Sequence, residues 1–422
     1  MQIGSKETIF LGTGTKSPCV ALMADDNNGA KVEERFKFLL VSRALRSAAL
    51  IFVTLSTPLY LLKLNFDIIS IGLVYLFVSI TTVLISLSIG MLGDRIGFKK
   101  ALIIGEIPAI FITAALTFST SIYVILAGII ISGTTGSAGA MRGAMSPGMN
   151  AYIATNWPDS SGRVRKMALI TSVASIFSII GSLILYSYAF LTPFYGSVNS
   201  FRILYGISLV LVLASFTSLF MIREKPVIKK KERVMKKASG KYVLKVSIAN
   251  GINGSGIGLA IVLLPAWYEL RYGLTESQVA LAFLGSYAAT AIGGYLASRI
   301  SISANGRSTL KVAWVTRVIQ GSLLILMAIS PYVIIAILLY SGRSLLAGFG
   351  MPSRNAVNVS GLQEGDFGAG TSLQGVSVRL SQGFSGLSGY LMDIDLPFPV
   401  VLGGILQAVS GVVYYKLMKN NE

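Results

Sequence analysis

The chain has 422 residues, of which 53% are hydrophobic and only 13% are charged. A soluble domain carries about 25% charged residues, so this chain cannot cover a water-facing surface and must face lipid over much of its area. The net charge is +18, but the basic residues lie in short segments between apolar blocks, which is typical of a membrane protein and not of one that binds nucleic acid. With no histidine and a single cysteine, Cys19, the composition excludes a disulfide framework, and we expect no metal site and no cofactor.

The N-terminal segment is polar and lacks the basic-then-apolar pattern of a secretory signal. Its one apolar run, residues 8–11, is too short to cross a bilayer. We therefore expect residues 1–35 to form a mobile cytoplasmic tail, with Met23 as an alternative start of the chain.

Long apolar blocks follow the tail. A block of about 20 residues matches the roughly 30 Å hydrocarbon core of a bilayer at 1.5 Å per residue, and its backbone groups must be bonded within the block, so each block is predicted to be a helix. The sequence predicts an all-α membrane protein with twelve spans, in two six-helix bundles at residues 36–222 and 242–419. The first six spans lie at about 36–62, 68–89, 101–118, 122–145, 167–189 and 201–222, and the last six begin near Val243, Glu276, Thr309, Tyr332, Gly368 and Phe398.

The basic residues lie on one side of this arrangement. They include the lysine-rich linker between the bundles, residues 223–241. We therefore expect the protein to lie in the cytoplasmic membrane of the cell, and the positive-inside rule places the linker and both termini in the cytoplasm. The other side carries little more than Lys63, Arg202 and Arg271, whereas the predicted cytoplasmic side carries Lys99, Lys100, Arg163, Arg165, Lys166, Lys229, Lys230, Lys231, Lys236, Lys237, Arg299, Arg307, Lys311, Lys416 and Lys419.

An internal repeat relates the two bundles. The segment GMLGDRI begins at Gly90 after the second span, and GYLASRI begins at Gly294 after the eighth span, an offset of 294 − 90 = 204 residues. A proline and an Asn-Ala pair follow the fourth and the tenth spans at nearly the same offset. Two matches at equivalent points indicate bundles related by pseudo-symmetry, the layout of a transporter built from structural repeats.

The segment GMLGDRIGFKKAL, which begins at Gly90, resembles the loop signature of the major facilitator superfamily between its second and third helices. The resemblance implies a two-bundle fold with alternating access to a central site. Phe98 departs from the usual basic position, and the helix-5 signature of drug/proton antiporters and the box after helix 6 of sugar porters are absent, so no subfamily is identified. The positions that match are Gly90, Leu92, Asp94, Arg95, Gly97, Lys99 and Leu102.

We predict that five residues of this segment form a conformational gate: Gly90, Asp94, Arg95, Gly97 and Lys99. The glycines allow a tight loop between helix ends. Asp94 is placed to complement the positive N-terminus of the next helix. Arg95 and Lys99 offer partners for carboxylates across a moving interface, although basic residues here also serve as positive-inside anchors.

Ionisable residues inside spans are expensive and indicate function. Arg46, Arg343 and Arg379 are predicted to lie near the midplane, on helices that line the central cavity in the family, whereas Arg43 and Arg142 lie nearer the cytoplasmic face and can snorkel. Arginine binds carboxylate or phosphate through two parallel hydrogen bonds, so we predict that Arg46 and Arg343 face each other and hold an anionic group of the substrate. Alternatively, these arginines bind backbone carbonyls and only hold the bundles.

Further polar residues complete the predicted substrate site. Asn250 and Asn253 lie three residues apart in a glycine-rich stretch, which favours a broken helix beside a site, with helix packing as the alternative. Tyr287 and Gln374 are candidate polar lining. Because the chain has no histidine, proton coupling needs a carboxylate. Glu106, the one clear mid-span acid, is the candidate, with Asp94 and Glu269 as alternatives.

These features together predict a monomeric secondary active transporter that moves a small solute, an organic or phosphorylated anion, with H⁺ or Na⁺ as the coupling ion. Efflux of amphipathic compounds is the first alternative and transport of neutral solutes the second. Filter loops of a channel and the clustered catalytic groups of a membrane enzyme are not found in the sequence. A non-transporting sensor on the same fold remains an alternative of another class.

Overall fold

The computed structural model describes residues 18–133, 145–157, 160–224, 236–299, 306–363 and 366–419. These ranges contain helices and the turns that connect them. The N-terminal half contains α1 (Pro18–Lys63), α2 (Ile68–Ile96), α3 (Phe98–Phe118), α4 (Ile122–Ser132), α5 (Ser146–Asn156), α6 (Ser160–Tyr186) and α7 (Tyr188–Phe220).

The C-terminal half repeats this pattern with more breaks. It contains α8 (Lys237–Ile261), α9 (Leu264–Tyr272), α10 (Glu276–Arg299), α11 (Gly306–Ile329), α12 (Val333–Ser360), α13 (Phe367–Ser381), α14 (Ser385–Ile394) and α15 (Phe398–Met418), with a 3₁₀ turn at Gln382–Phe384 between α13 and α14.

Ten apolar helical segments in the described ranges are long enough to cross a bilayer. The described residues also contain the shorter apolar helix α4, in the region of the predicted fourth span, and α13 and α14 on either side of the 3₁₀ turn, in the region of the predicted eleventh span. The predicted fold class, an all-α membrane protein, is therefore confirmed, and the helices of the described ranges fit the predicted layout of twelve spans in two bundles. Large apolar side chains are exposed along these spans, as expected of a surface that faces lipid, among them Phe77, Leu84, Phe111, Ile176, Val210, Ile292, Ile334 and Leu338.

Helix boundaries differ from the predicted ones in two places. α1 begins at Pro18, inside the segment predicted to be a tail, and the apolar part long enough to span begins at Val32. α7 bends sharply at Gly196, whose φ of 71° favours glycine, so this one helix both ends the fifth span and forms the sixth. Asp67, between α1 and α2, accepts a hydrogen bond from Ser70, which lowers the pKa of Asp67 below its ordinary value.

We call the end of the bundle where the first span begins and α15 ends the terminal face, and the opposite end, where α1 ends at Lys63, the far face. One hydrophobic cluster lies towards the far face and includes residues of both halves, such as Tyr60, Tyr205, Trp267 and Tyr268. Towards the terminal face there are instead two clusters, one built from the N-terminal half and one from the C-terminal half. Among the described residues, the hydrophobic cluster that the two halves share is therefore the one on the far side.

Candidate functional site

A buried ion pair ties α1 to α3 inside the N-terminal half. Arg46 donates a hydrogen bond from Nη1 to Oε2 of Glu106, and the hydroxyl of Ser215 on α7 donates to Oε1 of Glu106 at 2.8 Å. Ser42 lies 2.9 Å from Ser215, oxygen to oxygen, and completes the network. The sequence placed Arg46 opposite Arg343 at an anion site, whereas the structure pairs Arg46 with the carboxylate of Glu106 within the N-terminal half.

Arg43 is buried one turn before Arg46. The sequence suggested that Arg43 snorkels to the membrane surface, but its side chain is only 5% exposed. Its Nε and Nη2 atoms have no hydrogen-bond partner among the described residues, and neither does the hydroxyl of Ser47, which is 4% exposed. Arg142, the other arginine suggested to snorkel, lies outside the described residues.

In the C-terminal half, an amide side chain on α15 joins two of the predicted site residues, Arg343 and Asn253. Nε of Arg343 lies 3.4 Å from Oε1 of Gln407 on α15, and Nε2 of Gln407 donates to Oδ1 of Asn253 at 3.1 Å. Arg343 is 4% exposed, and its guanidinium lies 5.8 Å from the ring centre of Tyr340. The structure thus brings Arg343 and Asn253 together through a residue that was not predicted.

Asn250 has a separate partner, Arg317 on α11. Nη2 of Arg317 donates to Oδ1 of Asn250 at 2.6 Å, and the guanidinium lies 4.3 Å from the ring centre of Tyr414. The hydroxyl of Tyr414 donates to Oδ1 of Asn358 at 2.8 Å. Gln374 enters the same chain of contacts, since its Nε2 donates to the carbonyl of Asn358 at 3.0 Å.

The contacts of Arg317 are equivalent to those of Glu106 in the other half. α3 ends before Ser119 and α11 before Ser330, and each serine hydroxyl accepts from the backbone N–H two residues later. Counted back from these serines, Glu106 and Arg317 occupy the same position, 119 − 106 = 330 − 317 = 13 residues away. Arg46 and Asn250 are likewise related by the repeat offset, 250 − 46 = 204. Each half therefore has a side-chain contact between its first and third spans, which we call a polar tie. Both partners are charged in the N-terminal half, whereas in the C-terminal half only Arg317 of the pair is charged.

The two remaining predicted residues, Tyr287 and Arg379, are also buried. Tyr287 is 3% exposed and its ring centre lies 6.2 Å from that of Phe283. Arg379 is 7% exposed on α13. Among the described contacts, none joins Arg46 to a predicted site residue of the C-terminal half.

The glycine-rich stretch of the seventh span packs tightly and is not broken. α8 is continuous through these glycines and ends at Ile261, beyond them. A Cβ on Gly254 would lie 2.6 Å from the carbonyl oxygen of Val378, and one on Gly258 would lie 2.6 Å from that of Gln382. The expected broken helix is therefore wrong, and close approach of α8 to the eleventh span explains the glycines.

Two sequence signals for Gln407 and Arg317 were available. Gln407 is an amide inside an apolar helix, which is the same signal that marked Asn250, Asn253 and Gln374. Arg317 is an ionisable residue inside the predicted ninth span, which is the same signal that marked Glu106. Its alignment with Glu106 through the repeat identifies it as the counterpart of a site residue.

In the predicted gating segment, a distant glutamate holds the start of α3. The carboxylate of Glu224 accepts hydrogen bonds from the backbone N–H groups of Phe98 at 2.9 Å and Lys99 at 2.8 Å. Nζ of Lys99 donates to the carbonyl of Phe220 at 2.7 Å, near the C-terminus of α7. Thus Glu224 occupies the helix N-terminus that Asp94 was predicted to complement. The side chain of Asp94 lies outside the described residues, so its role stays a prediction.

The glycines and the arginine of this segment differ in their surroundings. Gly97 has a φ of 97°, a conformation that favours glycine and turns the chain between α2 and α3. A Cβ on Gly90 would meet no atom within 4 Å. Arg95 is exposed at the end of α2.

At the far face, charged residues connect the two halves. Nζ of Lys63, at the end of α1, lies 3.3 Å from Oε1 of Glu269 and 3.1 Å from Oε1 of Glu276. The hydroxyl of Ser277 donates to the carbonyl of Tyr186 at 3.0 Å and also lies 3.2 Å from a backbone nitrogen of the N-terminal half. One lysine from the N-terminal half thus sits between two glutamates of the C-terminal half.

Small residues bring the halves into backbone contact at the same face. A Cβ on Gly72 of α2 would lie 3.0 Å from backbone atoms of Gly389 on α14. A Cβ on Gly389 would lie 2.2 Å from the carbonyl oxygen of Ile68. Such distances leave room only for glycine, so α2 and α14 close the far face directly.

Comparisons with known proteins agree with this architecture. Residues 39–386 match the family model described as Major Facilitator Superfamily. The structure is similar to the human organic anion transporter MFSD10 (TETRAN), with a TM-score of 0.66, 13% identity and coverage of 90% of this chain and 99% of that one. It is also similar to the E. coli fucose:proton symporter FucP, with a TM-score of 0.61, 17% identity and coverage of 90% and 98%.

A further similar structure is an auto-inhibited peptide transporter of the POT family, with a TM-score of 0.70, 12% identity and coverage of 92% of this chain and 97% of that one. At these identities the likeness concerns the fold. A search of curated proteins finds no match to the sequence.

Proposed function

Since the chain belongs to the major facilitator superfamily and is a multi-pass membrane transporter, not an enzyme, we propose that it is a secondary active transporter that moves a small solute by alternating access between its two halves. Each chain contains both halves of one transport path, so a monomer suffices. The neighbours named above support transport as the function but differ in what they carry.

The observation that carries this proposal is the asymmetry of the core. The halves share one hydrophobic cluster on the far side and have separate clusters on the terminal side. Contacts across the halves, such as those of Lys63 and Gly389, also lie at the far face. This arrangement is expected of one of the two states of alternating access. In that state the contacts between the halves at the far face, which we call the far gate, are closed, and the two halves separate more easily at the terminal face.

We further propose that the terminal face is cytoplasmic. The basic residues of the chain concentrate in the loops of this face, as the positive-inside rule requires. The described state is then closed towards the outside and opens towards the cytoplasm.

Pulsed electron-spin distances test alternation without knowledge of the substrate. Spin labels at Asp67 and Arg271 report on the far face, and labels at Arg95 and Gln363 report on the terminal face. We expect two populations in which one pair is short when the other is long, with a ligand from a thermal-shift screen changing their ratio. A control pair inside the N-terminal half, Arg95 with Thr155, should keep one distance. A single fixed distance for both reporting pairs under all conditions would refute alternating access.

The substrate prediction changes with the geometry. Because Arg46 is bonded to Glu106, it is not free to bridge an anion to Arg343. Efflux of amphipathic compounds therefore becomes the first substrate class to test. Similarity to an organic anion transporter keeps organic anions in the same screen. A ligand that binds but is not taken up by reconstituted vesicles would instead favour a sensor.

Glu106 remains our candidate for proton coupling. Its carboxylate accepts from both Arg46 and Ser215, so protonation would release the tie between α1 and α3. We expect Glu106→Gln to retain exchange of substrate across vesicles but to lose accumulation driven by a pH gradient. Accumulation equal to that of the wild type would exclude this role and leave Na⁺ or another acid as the coupling element.

A further inference from the structure

Two buried side chains on α1 have polar atoms without a hydrogen-bond partner among the described residues. Nε and Nη2 of Arg43 and Oγ of Ser47 make no hydrogen bond with the described residues, although both side chains are more than nine-tenths buried. They lie four residues apart on one helix and so occupy one face. A buried charge without a partner is expensive, which is why native proteins pair such groups or use them to bind a ligand.

This face is distinct from the two faces through which α1 packs in its bundle. Ser42 and Arg46 face the network with Ser215 and Glu106. Ala48 approaches α6, since a Cβ on its Gly181 would lie 2.6 Å from the carbonyl oxygen of Ala48. With 3.6 residues per turn, Arg43 and Ser47 point between these two directions.

The two buried arginines of α1 and the glutamate beside them have a net charge of one positive unit. Arg43 and Arg46 are both buried on α1, and the carboxylate of Glu106 is bonded by Arg46 and Ser215. No described hydrogen bond or ion pair links Glu106 to Arg43. The site therefore has the charge and the donors to bind an anion.

We propose that Arg43 and Ser47 bind an oxyanion group, a carboxylate or a phosphate, of the transported solute. A guanidinium donates two parallel hydrogen bonds to such a group, and the serine hydroxyl adds a third donor. The proposal rests on the proposed transport function and narrows its substrate class to amphipathic organic anions. It assigns to Arg43 the role that the sequence suggested for Arg46.

Binding to the purified protein in neutral detergent tests the site. Benzoate and phenyl phosphate are the anionic probes, and benzamide is the neutral one. We expect at least one anionic probe to raise the unfolding temperature, by mass action on the folded state, and benzamide to have no effect. Arg43→Gln should weaken the apparent affinity about tenfold or more, and Ser47→Ala should weaken it less. Arg43→Lys should fall between them, because it keeps the charge and loses the two-point contact.

Two controls separate a binding role from a structural one. Arg35→Gln removes a positive charge near the terminal face and should leave probe binding unchanged. Without probe, Arg43→Gln should unfold at a higher temperature than the wild type, because it removes an unpaired buried charge. An arginine that only supports the bundle would lower that temperature when replaced.

A lipid headgroup carries the same oxyanion group. A last experiment therefore compares the unfolding temperature of the protein in nanodiscs with and without phosphatidylglycerol. If phosphatidylglycerol raises the unfolding temperature and neither anionic probe does, the site binds a lipid headgroup and the proposed solute site is wrong. The proposal also fails if no anionic probe stabilises the wild type, or if Arg43→Gln binds the probe as the wild type does. These measurements do not require the halves to move, so their failure is distinct from a failure of alternating access in the spin-label distances.

Discussion

At the scale of residues, the buried pair of Arg46 and Glu106 has the clearest energetic consequence. Removing one partner of a buried ion pair leaves the other charge uncompensated, which costs about 3–5 kcal/mol. We expect Arg46→Gln to lower the unfolding temperature of the purified protein strongly. The double variant Arg46→Gln/Glu106→Gln should recover part of that loss, because neither side chain of the pair then carries a charge.

A double-mutant cycle of thermal unfolding measures this coupling. Leu270→Ala, an exposed apolar site on α9, serves as a control for truncation on a surface. If the losses of the two single variants simply add in the double variant, the pair contributes no coupling energy and the contact described here does not hold the bundle.

The charged residues of this site could be predicted from the sequence, but the residues that they contact could not. The membrane charges Arg46, Glu106 and Arg343 stand out because ionisable groups are rare in lipid. Which of them meet depends on the rotation of each helix about its axis, and apolar residues on nearly all sides of a span leave that rotation undefined. For the same reason the sequence placed Arg43 at the membrane surface, whereas the structure buries it.

At the scale of elements, the start of α3 depends on a residue far away in the chain. Glu224 accepts from two backbone N–H groups at the N-terminus of α3, where the helix dipole also favours a negative charge. We expect Glu224→Ala to cost about 0.5–2 kcal/mol of stability, which lowers the unfolding temperature. Glu34→Ala, at an exposed position of α1, is the matched control and should have little effect. Equal unfolding temperatures for the two variants would show that α3 does not need this cap.

The contact between α2 and α14 predicts a shift in conformation. Gly389→Ala places a Cβ against the carbonyl of Ile68 in the closed far gate, and an overpacked contact of this kind costs about 1–3 kcal/mol. That cost shifts a two-state equilibrium by about 5–150-fold. We expect the Asp67–Arg271 spin-label distance to lengthen. Gly90→Ala is the control, because a Cβ there meets no atom within 4 Å. An unchanged distance in Gly389→Ala would mean that this contact does not set the gate.

The elements themselves were largely predictable from the sequence. A bilayer imposes a minimum length of apolar helix, so the spans and the repeat were visible as blocks and offsets. The breaks were not, since they depend on tertiary contacts. The glycines of α8 suggested a broken helix but serve packing, whereas the eleventh span breaks at Gln382–Phe384. The resemblance of the segment that begins at Gly90 indicated the family, because apolar blocks alone do not distinguish one family of membrane proteins from another.

At the scale of the whole molecule, the distribution of contacts between the halves explains how the chain can move without losing its bundles. Each half has its own polar tie, Arg46 with Glu106 and Asn250 with Arg317, inside the bundle and away from the shared surface. Contacts between the halves concentrate at the far face, where Lys63 sits between Glu269 and Glu276. The proposed rocking of the halves would therefore break few bonds inside either half, as a rigid-body transition requires.

A disulfide across the far gate tests this arrangement directly. On a background with Cys19→Ser, we expect Ala189→Cys/Ser277→Cys to form a disulfide under oxidation, because the backbone nitrogen of Ala189 lies 3.2 Å from the hydroxyl of Ser277. Locked in this state, the protein should lose nearly all uptake in vesicles and recover it when the disulfide is reduced.

The matched control joins two positions within one half. The backbone nitrogen of Gln363 lies 3.1 Å from the hydroxyl of Ser239, so Ser239→Cys/Gln363→Cys forms a comparable disulfide at the terminal face of the C-terminal half. It should leave uptake close to that of the reduced protein, because the halves still move past each other. Uptake that persists with the far gate fully cross-linked would mean that solute crosses without opening this gate, and the rocking motion would be wrong. Inhibition by both disulfides alike would instead show that movement within the C-terminal half, and not only between the halves, is part of transport.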